Sequence, residues 1–265
     1  MNYGYHDDNE SIELHTSDEL NRYSIQLYHR LAKMVDMKGK DIIEVGSGRG
    51  GGISYVARTF EPVSAIGIDL DAKATSFGNK HHKVKGLSFK QGDAQNLDFI
   101  SSGSIDVVIN VESSHRYPDI TKFYDEVYRV LKPGGQFLYT DFRTETELED
   151  LVHKLSKYNY IKFDEQLITK QVLKALDLDY ERRSNIVNRL APPFIKKHIH
   201  DFSGGVGSPT YNRFKTRTWE YFVFCFQKSP ERNMEDTQDK TGAGEDAYEL
   251  YDGLAFGEAG SAAAL

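Results

Sequence analysis

The chain has 265 residues, with 40 acidic and 33 basic side chains and a net charge of −7. This length accommodates one domain with a sizeable core plus an elaboration, and no apolar run approaches the length of a membrane-spanning helix. Residues 1–228 hold 31 acidic and 31 basic side chains, which argues against a nucleic-acid partner, and the excess negative charge lies in residues 229–265, predicted to be a flexible tail.

The first ten residues are polar and do not resemble a secretory signal. A helix is predicted over residues 17–35, with Ser17 as its N-cap and apolar residues such as Leu27 and Leu31 at helical spacing. The single cysteine, Cys225, cannot form an internal disulfide, so we expect a reducing, cytoplasmic location.

Residues 41–52 are the most informative segment. An apolar run leads into glycines at positions 46, 48 and 50, and apolar residues at helical spacing follow. This is strand, tight turn and helix, the entry unit of a nucleotide-binding α/β fold. Glu44, two residues ahead of the first glycine, would repel a pyrophosphate but attract an ammonium group. S-adenosylmethionine (SAM) has an ammonium, a sulfonium and no phosphate, so Glu44 favours SAM over a dinucleotide.

Acidic residues end the next two predicted strands. The second strand, over residues 64–69, ends in Asp69, roughly 20 residues after the glycines, the spacing of a ribose-hydroxyl acceptor. The third predicted element, over residues 87–94, includes Asp93, which we expect to accept a hydrogen bond from an adenine amino group.

The fourth and fifth strands are predicted at residues 105–111 and 136–141, and a further strand at residues 160–167 is followed by a highly charged helix over residues 169–188. His115 follows the fourth strand beyond its carboxyl end, where open α/β sheets bind their ligands. Because imidazole exchanges a proton near neutral pH, His115 is the candidate general base, with a local structural role as the alternative. Glu112 is the second catalytic candidate, either orienting His115 or facing the sulfonium, with helix capping as its alternative.

Five motifs stand in the order and spacing found in class I SAM-dependent methyltransferases. They are Glu44-Val45-Gly46-Ser47-Gly48-Arg49-Gly50, Asp69, Gly92-Asp93-Ala94, Asp106-Val107-Val108 and Leu131-Lys132-Pro133-Gly134-Gly135. Over residues 1–228 the chain also resembles small-molecule methyltransferases of lipid and polyketide pathways, in particular the phthiotriol/phenolphthiotriol dimycocerosate O-methyltransferases. Two segments that support this narrower resemblance are Asn21-Arg22-Tyr23 and Asn110-Val111-Glu112-Ser113-Ser114-His115.

The resemblance implies an α/β fold, a seven-stranded Rossmann-like class I methyltransferase sandwich in which the seventh strand is antiparallel. Residues 1–37 would form an N-terminal flap and cofactor-covering helix, residues 38–228 the methyltransferase domain, and residues 169–218 a helical lid between strands six and seven. The cofactor-binding residues would be Tyr5, Glu44, Gly46, Ser47, Gly48, Gly50, Asp69, Leu70, Asp93, Ala94 and Asn110.

The predicted function is SAM-dependent methyl transfer to a small organic acceptor, above all a hydroxyl group of a lipid-like or polyketide molecule. C- or N-methylation and a non-catalytic SAM-binding role are the alternatives, whereas Glu44 and Asp93 disfavour an NAD-linked oxidoreductase. No metal site is predicted, because one cysteine and scattered histidines lack metal-ligand spacing. A homodimer is left open.

The predicted lid contains a basic stretch. Its members are Arg182, Arg183, Arg189, Lys196, Lys197, His198 and His200. Such a stretch is suited to an anionic acceptor or a lipid headgroup, although charged runs on helices are usually solvated surface.

Overall fold

The computed structural model describes residues 2–230, and the rest of the predicted acidic tail, from residue 231 onward, lies outside the described residues. The strands of the described part are β1 (Asp41–Val45), β2 (Ser64–Asp69), β3 (Leu87–Gln91), β4 (Ile105–Val111), β5 (Leu131–Arg143), β6 (Tyr160–Leu167) and β7 (Glu220–Lys228). Its α-helices are α1 (Arg22–Ala32), α2 (Gly51–Phe60), α3 (Ala72–His81), α4 (Ile120–Val130), α5 (Glu145–Leu155), α6 (Thr169–Leu178), α7 (Tyr180–Leu190), α8 (Lys196–Phe202) and α9 (Pro209–Lys215).

The strands form one sheet in the order β3-β2-β1-β4-β5-β7-β6. Strands β1 to β5 pair in parallel, whereas β7 is antiparallel to both of its neighbours, β5 and β6. The order reverses at β1, and this reversal creates the crevice in which open α/β sheets bind ligands. The predicted α/β fold, with seven strands and an inserted antiparallel seventh strand, is confirmed.

Helices cover both faces of the sheet, which explains the continuous apolar sequence of the central strands. Ile42 and Val107 point into one half of the core, which α1, α2, α6 and α9 complete. Ile43 and Val108 point into the other half, which α4 and α5 complete. All four side chains are fully buried or nearly so, so these strands have no solvent face.

The first helix begins later than the sequence predicted. Helix α1 starts at Arg22, after a 3₁₀ turn over Glu19–Asn21. The hydroxyl of Ser17 is 2.8 Å from Nδ1 of His15, so this side chain serves a local turn and does not cap the helix. The predicted N-cap at Ser17 is therefore wrong.

The helix predicted over residues 169–188 is divided into α6 and α7 at Asp179. The Asp179 carboxylate accepts hydrogen bonds from Arg182 and Arg183, and its own amide N–H donates to the carbonyl of Ala175. The charged residues around position 180 thus form a corner between two helices, and only part of this basic stretch faces solvent.

The carboxyl ends of β1, β2 and β4 meet at one edge of the sheet. The amino-terminal segment, including Asn2 and Tyr3, approaches this edge from one side, and the helices between β6 and β7 approach it from another. Within residues 2–230, no helix is long and apolar enough to cross a membrane.

Candidate active site

The glycine turn after β1 requires glycine at two positions. Gly46 and Gly50 have φ angles of 78° and 82°, in the left-handed region that disfavours other residues. A Cβ atom on Gly46 would lie 2.3 Å from Oγ of Ser113, and one on Gly50 would lie 2.1 Å from the Phe89 ring. Both the backbone conformation and the available space therefore exclude a side chain.

The amide groups of this turn already have partners within the protein. Those of Gly46 and Ser47 donate to the carbonyl oxygen of Ile68, at 2.8 and 2.9 Å. The amide of Gly48 donates to Oδ2 of Asp69 at 2.7 Å. These three amides are not free to bind a pyrophosphate, which agrees with a nucleoside ligand that carries no phosphate groups.

A cavity of about 570 Å³ opens at the carboxyl edge of the sheet. The predicted site residues that line it are Gly46, Asp69, Leu70, Asp93, Ala94, Glu112 and His115. Asp69 ends β2 and Asp93 follows the neighbouring strand β3, so two carboxylates from adjacent strands face one space. Carboxylates accept hydrogen bonds from hydroxyl and amino groups, the groups that a nucleoside presents.

A second cavity, of about 980 Å³, lies on the other side of the glycine turn. Gly46, Ser47, Gly48 and Gly50 line it. Oγ of Ser47 is buried and has no hydrogen-bond partner among the described residues, so it is available to a ligand. Gly46 and Glu112 line both cavities, which places the two spaces side by side.

The structure places Glu44 beneath the turn, and its side chain is not among the residues that line the two cavities. It is fully buried, and the hydroxyl of Tyr28 donates to its Oε1 at 2.6 Å. Burial raises the pKa of Glu44 to about 7, although the hydrogen bond from Tyr28 opposes this shift. Tyr28 lines the second cavity, so this side chain stands between Glu44 and that space.

Asn110 also lies behind the site. It is fully buried, and its amide group donates to the Val45 carbonyl at 2.9 Å and to Oγ of Ser113 at 2.8 Å. These bonds tie the ends of β1 and β4 together. The structure therefore gives Asn110 a supporting position, and not the cavity-lining position that the sequence predicted.

Tyr5 is not brought to the site. Its hydroxyl donates to Asp7 at 3.3 Å, and its ring lines a small separate cavity beside His29. Tyr3 is the aromatic residue of this segment that lines the 570 Å³ cavity. The amide of Tyr5 pairs with the backbone of α1, which holds the two tyrosines in different environments.

His115 pairs with an acidic residue that the sequence did not suggest. Nδ1 of its ring is 2.8 Å from Oδ1 of Asp141, and the backbone amide of His115 donates to Oδ2 of the same carboxylate at 3.0 Å. The Asp141 side chain is fully buried, while that of His115 is 28% exposed. The carboxylate thus fixes the ring from behind, and His115 faces the cavity.

The environment of Asp141 keeps it ionised. Burial alone would raise the pKa of this carboxyl, but the Arg143 guanidinium and hydrogen bonds from His115 and Ser114 outweigh burial and lower it to about 2. Arg143 lies 3.2 Å from Oδ2 of Asp141. A permanent carboxylate favours the imidazole tautomer with its proton on Nδ1, which leaves the other ring nitrogen, Nε2, as an acceptor.

Glu112 joins three parts of the chain and does not orient His115. Its Oε1 accepts hydrogen bonds from the amide of Tyr3 at 2.6 Å and from the hydroxyl of Tyr221 at 2.5 Å. Its φ angle of 45° is a strained value for a residue with a side chain. Burial raises the pKa of Glu112. The structure therefore contradicts two of the roles predicted for Glu112. Asp141, and not Glu112, orients His115, and Glu112 does not cap a helix.

The site contains functional residues that the sequence did not reveal. Asp141 stands at the end of a predicted strand, but its partner is 26 positions away in sequence, so no local spacing linked it to His115. Tyr3 and Phe142 line the cavity and pack edge to face, with ring centroids 5.6 Å apart. Asp141 could have been found only from the rule that adjacent parallel strands end together.

SAM fits the residues of this site. Carboxylates from β2 and the end of β3 face one cavity, the turn amides are internally paired, and a free buried hydroxyl lies in the neighbouring cavity. Within residues 2–230, no cluster of three or more histidine, cysteine or acidic side chains could hold a metal ion. The donor set therefore suits an organic cofactor without phosphate.

Comparison with known proteins agrees with this geometry. A family model described as a methyltransferase domain matches residues 36–190. The chain is 41% identical over 232 residues to the fatty-acid O-methyltransferase of Mycolicibacterium smegmatis, with 87% of this chain and 84% of the relative covered. It is 37% identical over 229 residues to the phthiotriol/phenolphthiotriol dimycocerosates methyltransferase of Mycobacterium tuberculosis, with 86% and 84% covered.

Solved structures share the fold at low sequence identity. A putative sarcosine dimethylglycine methyltransferase from Galdieria sulphuraria superposes with a TM-score of 0.68 at 12% identity, covering 86% of this chain and 93% of that one. The geranyl diphosphate C-methyltransferase from Streptomyces coelicolor, in complex with S-adenosyl-L-homocysteine, has a TM-score of 0.64 at 15% identity, with 86% and 92% covered.

The fold, the cofactor-type cavity and the family match define an enzyme of the methyltransferase class. The chain belongs to the methyltransferase domain family and is a SAM-dependent methyltransferase, as its motifs predicted. Its relatives include the two mycobacterial lipid methyltransferases named above.

Proposed function

We propose that this enzyme methylates an oxygen atom, in the first place a hydroxyl group, of a lipid-like molecule. The observation that carries the proposal is His115, which is held from behind by Asp141 and lines the same cavity as Asp69 and Asp93. An oxygen acceptor loses a proton as it gains a methyl group, and a buried carboxylate behind an imidazole is an arrangement suited to removing that proton.

The chemistry at this site divides between cofactor and protein. SAM supplies a methyl group that is already activated on a sulfonium. Asp141 holds the imidazole of His115 through Nδ1, so that Nε2 accepts the proton of the acceptor hydroxyl. The buried carboxylate also stabilises the imidazolium that forms. The remaining task of the site is to orient the acceptor and exclude water, and the closely packed aromatic wall serves that task.

The cavity wall supports a lipid-like acceptor. Tyr3, Phe142 and Phe202 line it, together with Pro118. Such a wall favours an apolar chain over a small polar metabolite. The relatives agree with this preference, because one is named for fatty acids and another for phthiotriol and phenolphthiotriol dimycocerosates.

The proposal assigns roles to the other parts of the site. Asp69 accepts from the ribose hydroxyls and Asp93 from the adenine amino group, with Leu70 and Ala94 packing on the base. The helices of residues 169–218 act as the lid of the acceptor cavity. The amino-terminal segment closes the cavity from the opposite side, held by the hydrogen bond between the Tyr3 amide and Glu112.

The experiment that tests the proposal is an acceptor panel with methyl-labelled SAM. A long-chain alcohol, a long-chain carboxylic acid and a long-chain amine of matched length are incubated with the enzyme, and methylated products are identified by mass. The proposal requires label on oxygen. Label on the amine alone, or on carbon, would contradict it and support the alternative of N- or C-methylation.

Two further statements stay predictions from the sequence. A cytoplasmic location agrees with the free, buried thiol of Cys225, which needs no oxidising compartment. The balanced charge of residues 1–228 supports the prediction that nucleic acid is not a partner.

A further inference from the structure

The second half of the lid carries a strong positive charge. Residues 182–219 contain eight lysines and arginines and a single acidic residue, Asp201, although residues 1–228 as a whole are balanced. Arg182 and Arg183 share the carboxylate of Asp179 at the corner between α6 and α7, and Arg217 pairs with Glu220 just past this range. The other five cations, against the single acidic Asp201, leave this part of the molecule with excess positive charge.

Large aromatic side chains project from the same part of the lid. Phe194, in the 3₁₀ turn before α8, is 82% exposed, and Phe202, at the end of α8, is 63% exposed. His198 lies midway, four residues from each, and is also exposed. His198 and Phe202, four residues apart, lie on one face of α8, and Phe194 lies in the 3₁₀ turn that precedes this helix. We call Phe194, Lys197, His198 and Phe202 the lid stripe. Lys197 is exposed and directly precedes His198.

The lid stripe ends at the mouth of the active-site cavity. Phe202 is largely exposed and yet lines the cavity that holds His115. Its carbonyl oxygen also accepts a hydrogen bond from the Tyr3 hydroxyl at 3.3 Å, which ties the end of the stripe to the amino-terminal segment. The lid stripe therefore leads from the outer surface of the lid to the edge of the acceptor space.

We infer that the lid stripe is a docking surface for a membrane that contains anionic lipids. Two exposed phenylalanines suit insertion at the boundary between headgroups and acyl chains, and the flanking cations suit attraction to anionic headgroups. Docking in this orientation sets the mouth of the cavity against the bilayer. The inference rests on the proposed function in one respect, because docking brings the cavity to its acceptor only if that acceptor is lipid-like.

Other occupants fit these observations less well. A soluble anionic acceptor explains cations near the cavity but not the exposure of Phe194, which lies outside the cavity lining. The acidic segment of residues 231–265 has the complementary charge. Docking of this segment would block the cavity mouth, whereas a bilayer at the same position would present a lipid-like acceptor to it.

The test is co-sedimentation of the full-length chain with phosphatidylcholine vesicles, prepared with and without phosphatidylglycerol. We expect binding that requires phosphatidylglycerol and that weakens as salt screens the charges. Lys196→Glu combined with Lys197→Glu should lower the partition coefficient by about 30-fold or more, since each cation near an anionic surface contributes about fivefold. Phe194→Ser should lower it by about tenfold or more.

Matched controls separate the lid stripe from general surface effects. Lys73→Glu combined with Lys80→Glu changes two exposed lysines of α3, and Val63→Ser changes an apolar residue that is 61% exposed at the amino end of β2. These variants should bind vesicles like the wild type. All variants should keep their melting temperature and their methyl transfer to a short-chain, detergent-dispersed acceptor, which shows that they are folded.

Three results would overturn the inference. One is equal binding to both kinds of vesicle, another is wild-type binding by the lid variants, and the third is no vesicle binding at low salt, as expected if residues 231–265 occupy the surface. These results are independent of the proposed function. An enzyme that methylates dispersed acceptors without binding vesicles refutes the docking surface alone, whereas vesicle binding without transfer to oxygen refutes the proposed chemistry.

Discussion

Nδ1 of His115 lies 2.8 Å from the buried carboxylate of Asp141, and this pair joins the loop after β4 to the end of β5. Neighbouring parallel strands end at the same edge, which is why residues 26 positions apart meet here. The carboxylate also accepts from Ser114 and from two backbone amides. Asp141 is therefore a positioning residue, since it acts on the acceptor only through His115.

Replacement of Asp141 by Asn should lower the rate of methyl transfer by about 100-fold while SAM affinity changes little, because the residues proposed to bind the cofactor lie on other strands. The shape of the pH–rate profile should also change, since the variant lacks the carboxylate that holds the imidazole through Nδ1. Single-turnover kinetics against pH measure both effects.

Ser114→Ala is the matched control for this variant. It removes one hydrogen bond to Asp141 but keeps the carboxylate and its contact with His115. Its rate should stay within about tenfold of the wild type. A wild-type rate and an unchanged pH profile for Asp141→Asn would show that the pair is only structural.

Asp69→Ala should weaken SAM binding by about 1 to 3 kcal/mol, the cost of leaving buried polar groups unpaired. Asp69 lines the cavity and also fixes the amide of Gly48, so both a ligand contact and the shape of the turn are lost. Titration calorimetry with SAM measures the change. Asp71→Ala is the control, because Asp71 caps α3 outside the cavity lining; it should cost about 1 kcal/mol of stability and leave affinity unchanged.

Glu44 gives the protein a pH-dependent stability. Burial raises its pKa from 4.5 to about 7 in the folded state, so the folded protein binds more protons than the unfolded chain between these values. The stabilising contribution of Glu44 to the free energy of unfolding is therefore fully present below pH 4.5 and is lost as pH rises through about 7. In the alkaline range the enzyme holds a buried carboxylate that destabilises it.

Glu44→Gln should accordingly raise the free energy of unfolding at alkaline pH by up to roughly 3 kcal/mol, with little change in acid. Denaturant unfolding at a series of pH values measures this difference. Glu61→Gln alters an exposed carboxylate and serves as the control. If both variants show the same pH dependence as the wild type, the buried carboxylate of Glu44 has no such effect.

The sequence was sufficient to predict the sheet, because the patterns that mark its strands are local. Short apolar runs ending in glycine turns or acids mark parallel strands, and β6 was predicted with the bounds that the structure shows, Tyr160–Leu167. The break at Asp179 was missed, since it depends on two arginines folding back onto one carboxylate. Charge runs alone cannot distinguish such a corner from a continuous solvated helix.

The residues of the site also differ in whether the sequence could predict them. Gly46, Asp69 and Asp93 were predicted from spacing and do line one cavity, because strand ends and turns fix their positions. Tyr5 was predicted there, but Tyr3 lines the cavity, and in an extended amino-terminal segment no periodicity decides which side chain points inward. Asp141 was missed because its role depends on the pairing of β4 with β5.

The most direct test of the proposed mechanism is single-turnover methyl transfer to an oxygen acceptor, measured against pH for the wild type and for His115→Ala. A general base contributes about a hundred- to ten-thousand-fold, so the variant should be slower by that order with SAM affinity nearly unchanged. The wild-type rate should fall toward acid pH, as protonated imidazole cannot accept a proton, and the variant should lose this limb. His153→Ala on α5 is the control and should match the wild type. A near-wild-type rate for His115→Ala with the same pH profile would contradict general-base catalysis by His115 and favour an acceptor that is already ionised, or methylation at carbon.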